Sequence, residues 1–163
     1  MSIARLLCAA LLGILLGCGD RPDDSQAHPS LKEQLAEIAS VKANPVTPEQ
    51  VSEVFALGSD FTDLQRDLLG KELIGSVVEW RLKVYEVEFK EGLYKVTSQQ
   101  LPIKSKQAVP LLRASVLIVP SSDNDHDLMR KVKTNDMITI RGRVRDIVLR
   151  TVVVIEPTVL INH

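Results

Sequence analysis

Residues 78–89, VEWRLKVYEVEF, decide the fold of this chain. Up to Val84 the even-numbered residues are apolar and the residues between them are charged, which is the period of a strand with one buried face. From Tyr85 onward the apolar residues are odd-numbered. Such a change in the side-chain alternation inside one strand is typical of a β-bulge. A bulge bends the strand, so that its two halves can belong to two sheets. The stretch therefore predicts a long, bent first strand.

The residues that follow predict four further strands and one helix. A turn at Lys90-Glu91-Gly92 leads into a second strand over 93–98, and a nearly continuous apolar run predicts a third over 114–119. A helix is expected over 121–133, capped by the serines that open it. The fourth strand, 137–146, has Ile138, Ile140 and Val144 on its inner side, and the fifth covers 151–161. The order is β-β-β-α-β-β, so the fold class is mainly β.

Residues 30–69 contain three helix-start signals and predict two or three short α-helices. The signals are Ser30-x-x-Glu33, Thr47-Pro48-x-Gln50 and Thr62-x-x-Gln65, each with a side-chain cap followed by an acid or amide at the third helical position. We expect the helices to end near residue 40, at Gly58 and at Gly70. Because short helices are marginal alone, their apolar stripes should dock on the strands; a partner-binding arm is the alternative. The stripes are Leu31/Leu35/Ile38, Val51/Val54/Phe55 and Leu64/Leu68/Leu69.

This order of elements resembles the five-stranded oligonucleotide/oligosaccharide-binding (OB) barrel. Residues 133–144, KTNDMITIRGRV, resemble the fourth OB strand, and residues 63–87 resemble the start of exported bacterial OB proteins related to the tRNA anticodon-binding-like group. The resemblance implies a barrel over 70–163 after a helical region over 30–69. Arg81 and Leu82 stand where those relatives often have glycine, so the bend has to come from a bulge without glycine.

The N-terminus is typical of an export signal. Arg5 gives a positive start, and the apolar run over 6–16 would rise only about 16 Å as a helix, too little to span a bilayer. Leu15-Leu16-Gly17-Cys18 resembles the lipobox of bacterial lipoproteins. The resemblance implies a signal peptide over 1–17, a thioether-linked lipid on Cys18 and an acyl chain such as palmitate on the freed amine. The alternative is an ordinary signal peptide with an incidental cysteine.

Residues 18–29 are polar and contain two prolines, which predicts a disordered tether. The expected location is therefore a lipid anchor in the cell membrane, with the domain facing the periplasm or the cell exterior; inner and outer membrane both stay open. Charge divides the rest of the chain: residues 18–69 carry −6 and residues 70–163 carry +4. The second value is modest for a dedicated nucleic-acid binder.

Two groups of residues are candidate ligand contacts. Arg141, Arg143 and Arg145 alternate along the fourth strand and share its outer side, and Arg150 lies across the next turn. They could bind an anionic ligand, or they could pair with the glutamates of the first strand. Tyr94 beside Lys95 could form a surface on which bases stack.

Catalytic motifs are absent from the sequence. It has no nucleophile elbow and no phosphate loop, and the acidic run from Asp123 to Asp127 lacks the later glycine and glutamate of a calcium loop. His126 has no cysteine or second histidine beside it. We therefore expect no enzyme, no metal and no cofactor.

The expected function is a non-catalytic OB binding module in the cell envelope, with an envelope protein or polymer as its partner. The alternative is a nucleic-acid binder that uses the basic side of the barrel. Export separates the domain from cellular nucleic acid, so the sequence argues against nucleic acid as the partner. It does not specify the oligomeric state.

Anchoring through Cys18 is directly testable. Cys18→Ser removes the thiol that accepts the lipid, so the protein should move from the membrane fraction to the soluble fraction in immunoblots of fractionated cells. Cys8→Ser, inside the removed segment, should leave the distribution unchanged. Retention of Cys18→Ser in the membrane would show that the lipobox interpretation is wrong.

Overall fold

A computed structural model describes residues 29–161, and the order of elements is the one predicted from the sequence. The predicted signal peptide, the lipidation of Cys18 and nearly all of the predicted tether lie outside the described residues. Three helices come first, and a fourth separates the third and fourth strands. Their bounds are α1 Leu31–Ser40, α2 Pro48–Phe55, α3 Asp63–Leu73, β1 Val77–Lys90, β2 Leu93–Ser98, β3 Arg113–Ile118, α4 Asp123–Lys131, β4 Met137–Val148 and β5 Val152–Leu160.

The bend in β1 lies where the sequence predicts it. Residues 77–83 pair antiparallel with β4, and residues 84–90 pair antiparallel with β2. The register of the β1–β2 pairing shifts between Val84 and Glu86, which leaves Tyr85 as the extra residue of a bulge. A single strand thereby joins two parts of the sheet that face different directions.

The five strands close into a barrel in the spatial order β1-β2-β3-β5-β4, which is the predicted OB topology. The β3–β5 pairing is parallel and the other four pairings are antiparallel. Trp80 lies in the core as expected, 1% exposed, and its indole Nε1 donates to the Val46 carbonyl at 2.9 Å. The predicted inner residues of β4 are all buried. The prediction of a mainly β, five-stranded OB barrel is confirmed.

All three predicted capping boxes are present, at Ser30, Thr47 and Thr62. Ile38 of α1 is completely buried, and Val51 and Phe55 of α2 belong to the hydrophobic core. The helices therefore dock on the barrel as the sequence favoured, and the alternative of a separate arm does not hold. No helix within residues 29–161 is long and apolar enough to cross a membrane.

The third helix differs from its prediction in length and in orientation. It continues through Gly70 to Leu73, so the boundary expected between residues 69 and 70 falls inside α3, and α2 stops at Phe55 rather than at Gly58. Leu64 and Leu68 are 69% and 57% exposed, whereas Leu73 is buried. Residues 66, 69 and 73 share the inner side of α3: Leu73 is buried, Leu69 packs against the core, and Arg66 Nε donates to the Val54 carbonyl at 3.1 Å.

Gly142 of β4 has no room for a side chain beside β5. A Cβ built there would lie 2.8 Å from Ile155 Cγ2 and 3.0 Å from the Pro157 carbonyl oxygen. Both distances are too short for a carbon atom, and backbone is part of the obstacle. By contrast, a Cβ at Gly70 in α3 would have no described atom within 4 Å.

These two glycines predict opposite effects of the same substitution. Gly142→Ala should lower the free energy of unfolding by about 1–3 kcal/mol through overpacking. Gly70→Ala should raise it by about 1 kcal/mol because alanine favours the helix. Urea unfolding followed by circular dichroism measures both, and a neutral Gly142→Ala would contradict the close β4–β5 approach.

Candidate functional site

The predicted arginine stripe on β4 is engaged mainly by the chain itself. Arg141 donates from Nε to the Ile38 carbonyl at 2.9 Å and from Nη1 to a carboxylate oxygen of Glu79 at 3.1 Å, and it also contacts the Val41 carbonyl. Its side chain is only 17% exposed. Arg141 therefore fixes the end of α1 to the barrel, and its partner on β1 is one of the glutamates that the sequence offered as an alternative.

Arg143 and Arg145 continue this pattern. Arg143 donates to the Gly75 carbonyl at 2.7 Å and lies 2.7 Å from a carboxylate oxygen of Glu37 in α1. Arg145 is paired with Glu156, although its side chain remains 69% exposed. The structure thus uses two of the three arginines to hold α1. That this row binds a ligand stays a prediction.

Arg150 does not join that row, because it lies at the β4–β5 turn and contacts α3. Its guanidinium is 2.7 Å from Asp63 and 3.0 Å from Asp67. Hydrogen bonds from Arg150, and then from Arg66, hold the pKa of Asp63 below its usual range. In return, the hydrogen bond to Asp63 raises the pKa of Arg150.

Tyr94 and Lys95 do not form one surface, contrary to expectation. Successive residues of a strand point to opposite sides, and Tyr94 takes the inner side. Its ring is 4% exposed, lies 4.7 Å from the Phe89 ring centroid, and its hydroxyl is 2.9 Å from His126 Nδ1. Lys95 is on the outer side, 3.7 Å from a carboxylate oxygen of Glu88. The prediction of an exposed Tyr94 is wrong.

The acidic run at 123–127 forms the start of α4. Asp125 is buried, and its carboxylate accepts from the backbone amide and the hydroxyl of Ser121 at 2.8 and 2.6 Å. Among the described residues no three His, Cys, Asp or Glu side chains are grouped so that they could hold a metal ion.

A different surface does combine cations with an exposed aromatic ring. Arg81, Lys83 and Tyr85 are alternate, exposed residues of β1. Opposite the two cations on β4 stand Thr139 and Met137, which are neutral. Within residues 29–161 neither Arg81 nor Lys83 forms an ion pair. Their charges are therefore available to a ligand.

Tyr85 connects this row with β3. Its ring is on the surface, with the residue 46% exposed, and the Arg113 guanidinium carbon lies 5.1 Å from the ring centroid. The Tyr85 carbonyl accepts from the Thr134 hydroxyl at 3.0 Å, which fixes the bulge. We name Arg81, Lys83, Tyr85 and Arg113 the cationic face. It lies across the outer side of β1, β2 and β3.

A groove of about 700 Å³ adjoins the cationic face. One wall is the segment between α1 and α2, and the other is the start of the β2–β3 connection. Its floor is the outer edge of β1. Its lining includes Ala43, Asn44, Pro45, Glu49, Glu79, Arg81, Lys83, Gln99, Gln100, Pro102 and Met137.

Sequence reasoning identified none of these residues as a site. The available signal was the alternation of Arg81, Lys83 and Tyr85, which places two cations and an aromatic ring on the outer side of β1. The lack of acidic partners for Arg81 and Lys83 could not be seen, since it depends on which β4 residues stand opposite them.

No family model matches the sequence, and no curated protein is similar to it. Among solved structures, a lipoprotein from Klebsiella pneumoniae subsp. pneumoniae MGH 78578, named as a candidate nucleic acid-binding protein, has a TM-score of 0.48 at 17% identity. The alignment covers 78% of this chain and 97% of that one. The S. pombe Stn1–Ten1 complex gives a TM-score of 0.36 at 10% identity, covering 76% of this chain and 81% of that one. No residue role is transferred from either protein.

The expectation against a nucleic-acid partner is corrected by the first of these findings. It rested on the idea that an exported lipoprotein does not meet nucleic acid, and the Klebsiella protein is named both as a lipoprotein and for nucleic-acid binding. The physical reason is that an anchor fixes where a domain lies, whereas its surface charge and shape decide what it binds.

The role of Arg141 can be tested against a matched exposed arginine. Arg141→Gln leaves the Ile38 and Val41 carbonyls without their charged donor, so it should lower the free energy of unfolding by about 2 kcal/mol. Arg145→Gln should change it by about 0.5 kcal/mol or less because the Arg145 side chain is 69% exposed and makes its ion pair at the surface. Equal effects in urea unfolding would contradict the structural role of Arg141.

Proposed function

We propose that this chain is a non-catalytic binding module for single-stranded nucleic acid, held at a membrane by a lipid on Cys18. The observation that carries the proposal is the cationic face. Arg81 and Lys83 form no ion pair in the described part of the chain, and Tyr85 is an exposed ring backed by Arg113.

The chemistry of the cationic face fits a flexible strand of nucleotides. Phosphates gain charge-assisted hydrogen bonds from Arg81 and Lys83 and release the counterions that had neutralised them. An unpaired base stacks on one face of the Tyr85 ring. Arg113, on β3, holds the ring in place through its cation–π contact. Stacking needs an accessible flat face of a base, which an unpaired strand offers and a duplex interior does not.

Anchoring is supported by the sequence Leu15-Leu16-Gly17-Cys18, which resembles a lipobox. Residues 18–29 would then link the lipid to α1 and could span at most about 40 Å when extended. The domain would lie close to the membrane on its extracytoplasmic side, so its ligand would be nucleic acid that is present in the cell envelope.

Salt dependence tests the proposal. The full chain in detergent is titrated into a fluorescein-labelled oligothymidine of about twenty nucleotides, and anisotropy gives Kd at several salt concentrations. For single strands, each phosphate contact contributes about 0.7 to the magnitude of the slope of log K against log salt. Removing one contact reduces the slope by that amount. Arg81→Gln/Lys83→Gln should therefore reduce the slope by about 1.4 and weaken binding about tenfold at low salt.

Two further variants make this test specific. Lys32→Gln/Lys71→Gln removes the same charge from exposed positions on α1 and α3 and should leave the slope nearly unchanged. Tyr85→Leu should weaken binding by about fivefold or more without altering the slope, because stacking is not ionic. Absence of salt-dependent binding, or equal loss in both double variants, would overturn the proposed function.

A further inference from the structure

The first half of β1 has a strand on only one side. Residues 77–83 pair with β4, but pairing with β2 starts only at Val84. On the open side the described part of the chain supplies a single bridge, from Asn44 to Val78. Between Val78, which forms that bridge, and Lys83, which bonds to Gln99, β1 therefore has no strand beside it. This short free edge is the floor of the groove.

The hydrogen bonds on both sides of this edge fix the direction of its backbone groups. The Val84 amide and carbonyl bond to Asp136 and Asn135, on the β4 side. The Lys83 carbonyl accepts from the Gln99 amide at 2.7 Å, on the opposite side. Directions alternate along a strand, so the N–H and C=O of Arg81 point into the groove. The registers give them no neighbouring strand within residues 29–161.

The rest of the groove suits a flat, partly polar ligand. Pro45 and Pro102 give its walls apolar surface, and the exposed side chain of Met137 adds more. The amide side chains of Gln99 and Gln100 add polar groups at the rim. Mostly apolar walls with a few convergent donors and acceptors are typical of small-ligand sites. Two carboxylates and two cations line the groove: Glu79 is already paired with Arg141, and Glu49 lies on the α2 side. Arg81 and Lys83, which form no ion pair within residues 29–161, favour a ligand that is attached to negative charge.

We propose that the groove takes one unpaired nucleobase of the strand bound on the cationic face; this inference rests on the proposed function. The Arg81 N–H and C=O bond to the adjacent acceptor and donor on the edge of the base. The Arg81 and Lys83 side chains hold the flanking phosphates. In a duplex, the hydrogen-bonding edge of the base is already paired with the opposite strand. The backbone of Arg81 therefore distinguishes single strands from duplexes.

An oligonucleotide without bases separates the groove from the phosphate contacts. Anisotropy competition with the full chain compares oligothymidine with an abasic strand of the same length, and wild type should prefer oligothymidine by about tenfold or more. Ala43→Leu, which narrows the groove, should reduce this preference at least threefold with no change in salt slope. Ala36→Leu places the same side chain on the exposed side of α1 and should keep the wild-type ratio. Gln100→Leu is a second groove variant if Ala43→Leu does not fold.

The outcomes distinguish this inference from the proposed function. If both groove variants keep the wild-type preference for oligothymidine over the abasic strand, and binding still depends on salt, the base site is overturned. The cationic face as a binding surface is unaffected by that result. Loss of salt-dependent binding in the wild-type protein overturns both. Tighter binding of an extended acidic peptide than of oligothymidine, abolished by Ala43→Leu, would also overturn the base site, because the free edge would then be adding a peptide strand.

Discussion

One strand of this protein has to hydrogen-bond with two neighbours that face different directions, and β1 does so by bending at Tyr85. The first half of β1 reaches β4 and the second half reaches β2, so the barrel closes only because the register shifts between Val84 and Glu86. Tyr85 stays on the outer side with Arg81 and Lys83, and the shift places Glu86 outside as well. The edge beside Arg81 is open because β2 ends at Ser98, opposite Val84, and does not extend to it. Barrel closure and the open floor of the groove thus both depend on the point at which β1 changes its partner from β4 to β2.

Docking of the helices accounts for the division of charge along the chain. Acidic residues of the helices meet basic residues of the barrel, as in the pairs Arg143–Glu37 and Arg150–Asp63. Much of the basicity of residues 70–163 is therefore used internally. Arg81 and Lys83 of β1 are among the cations that form no ion pair within residues 29–161, and the residues opposite them on β4 are neutral.

The groove depends on that docking as well. Its outer wall is the connection between α1 and α2, whose position follows from the Asn44 bridge to β1 and from the bonds of Arg141 to the end of α1. The arginines first singled out as ligand contacts thus support the candidate site indirectly. They hold in place a segment that the groove requires.

The sequence by itself determined the elements whose causes are local. The alternation of apolar and charged residues over 78–89 predicted β1 with its bulge. The capping residues, together with the acid or amide at the third helical position, predicted all three helix starts. Both signals come from residues that are close in the chain. Only the tertiary structure decided which side chains remain exposed. Arg141 meets Ile38, 103 residues away, and Leu64 and Leu68 stay outside whereas Leu73 of the same helix is buried. Tyr94 is inside because barrel closure set the inner side of β2. Contacts of this kind depend on how distant elements are brought together, and no local pattern encodes that.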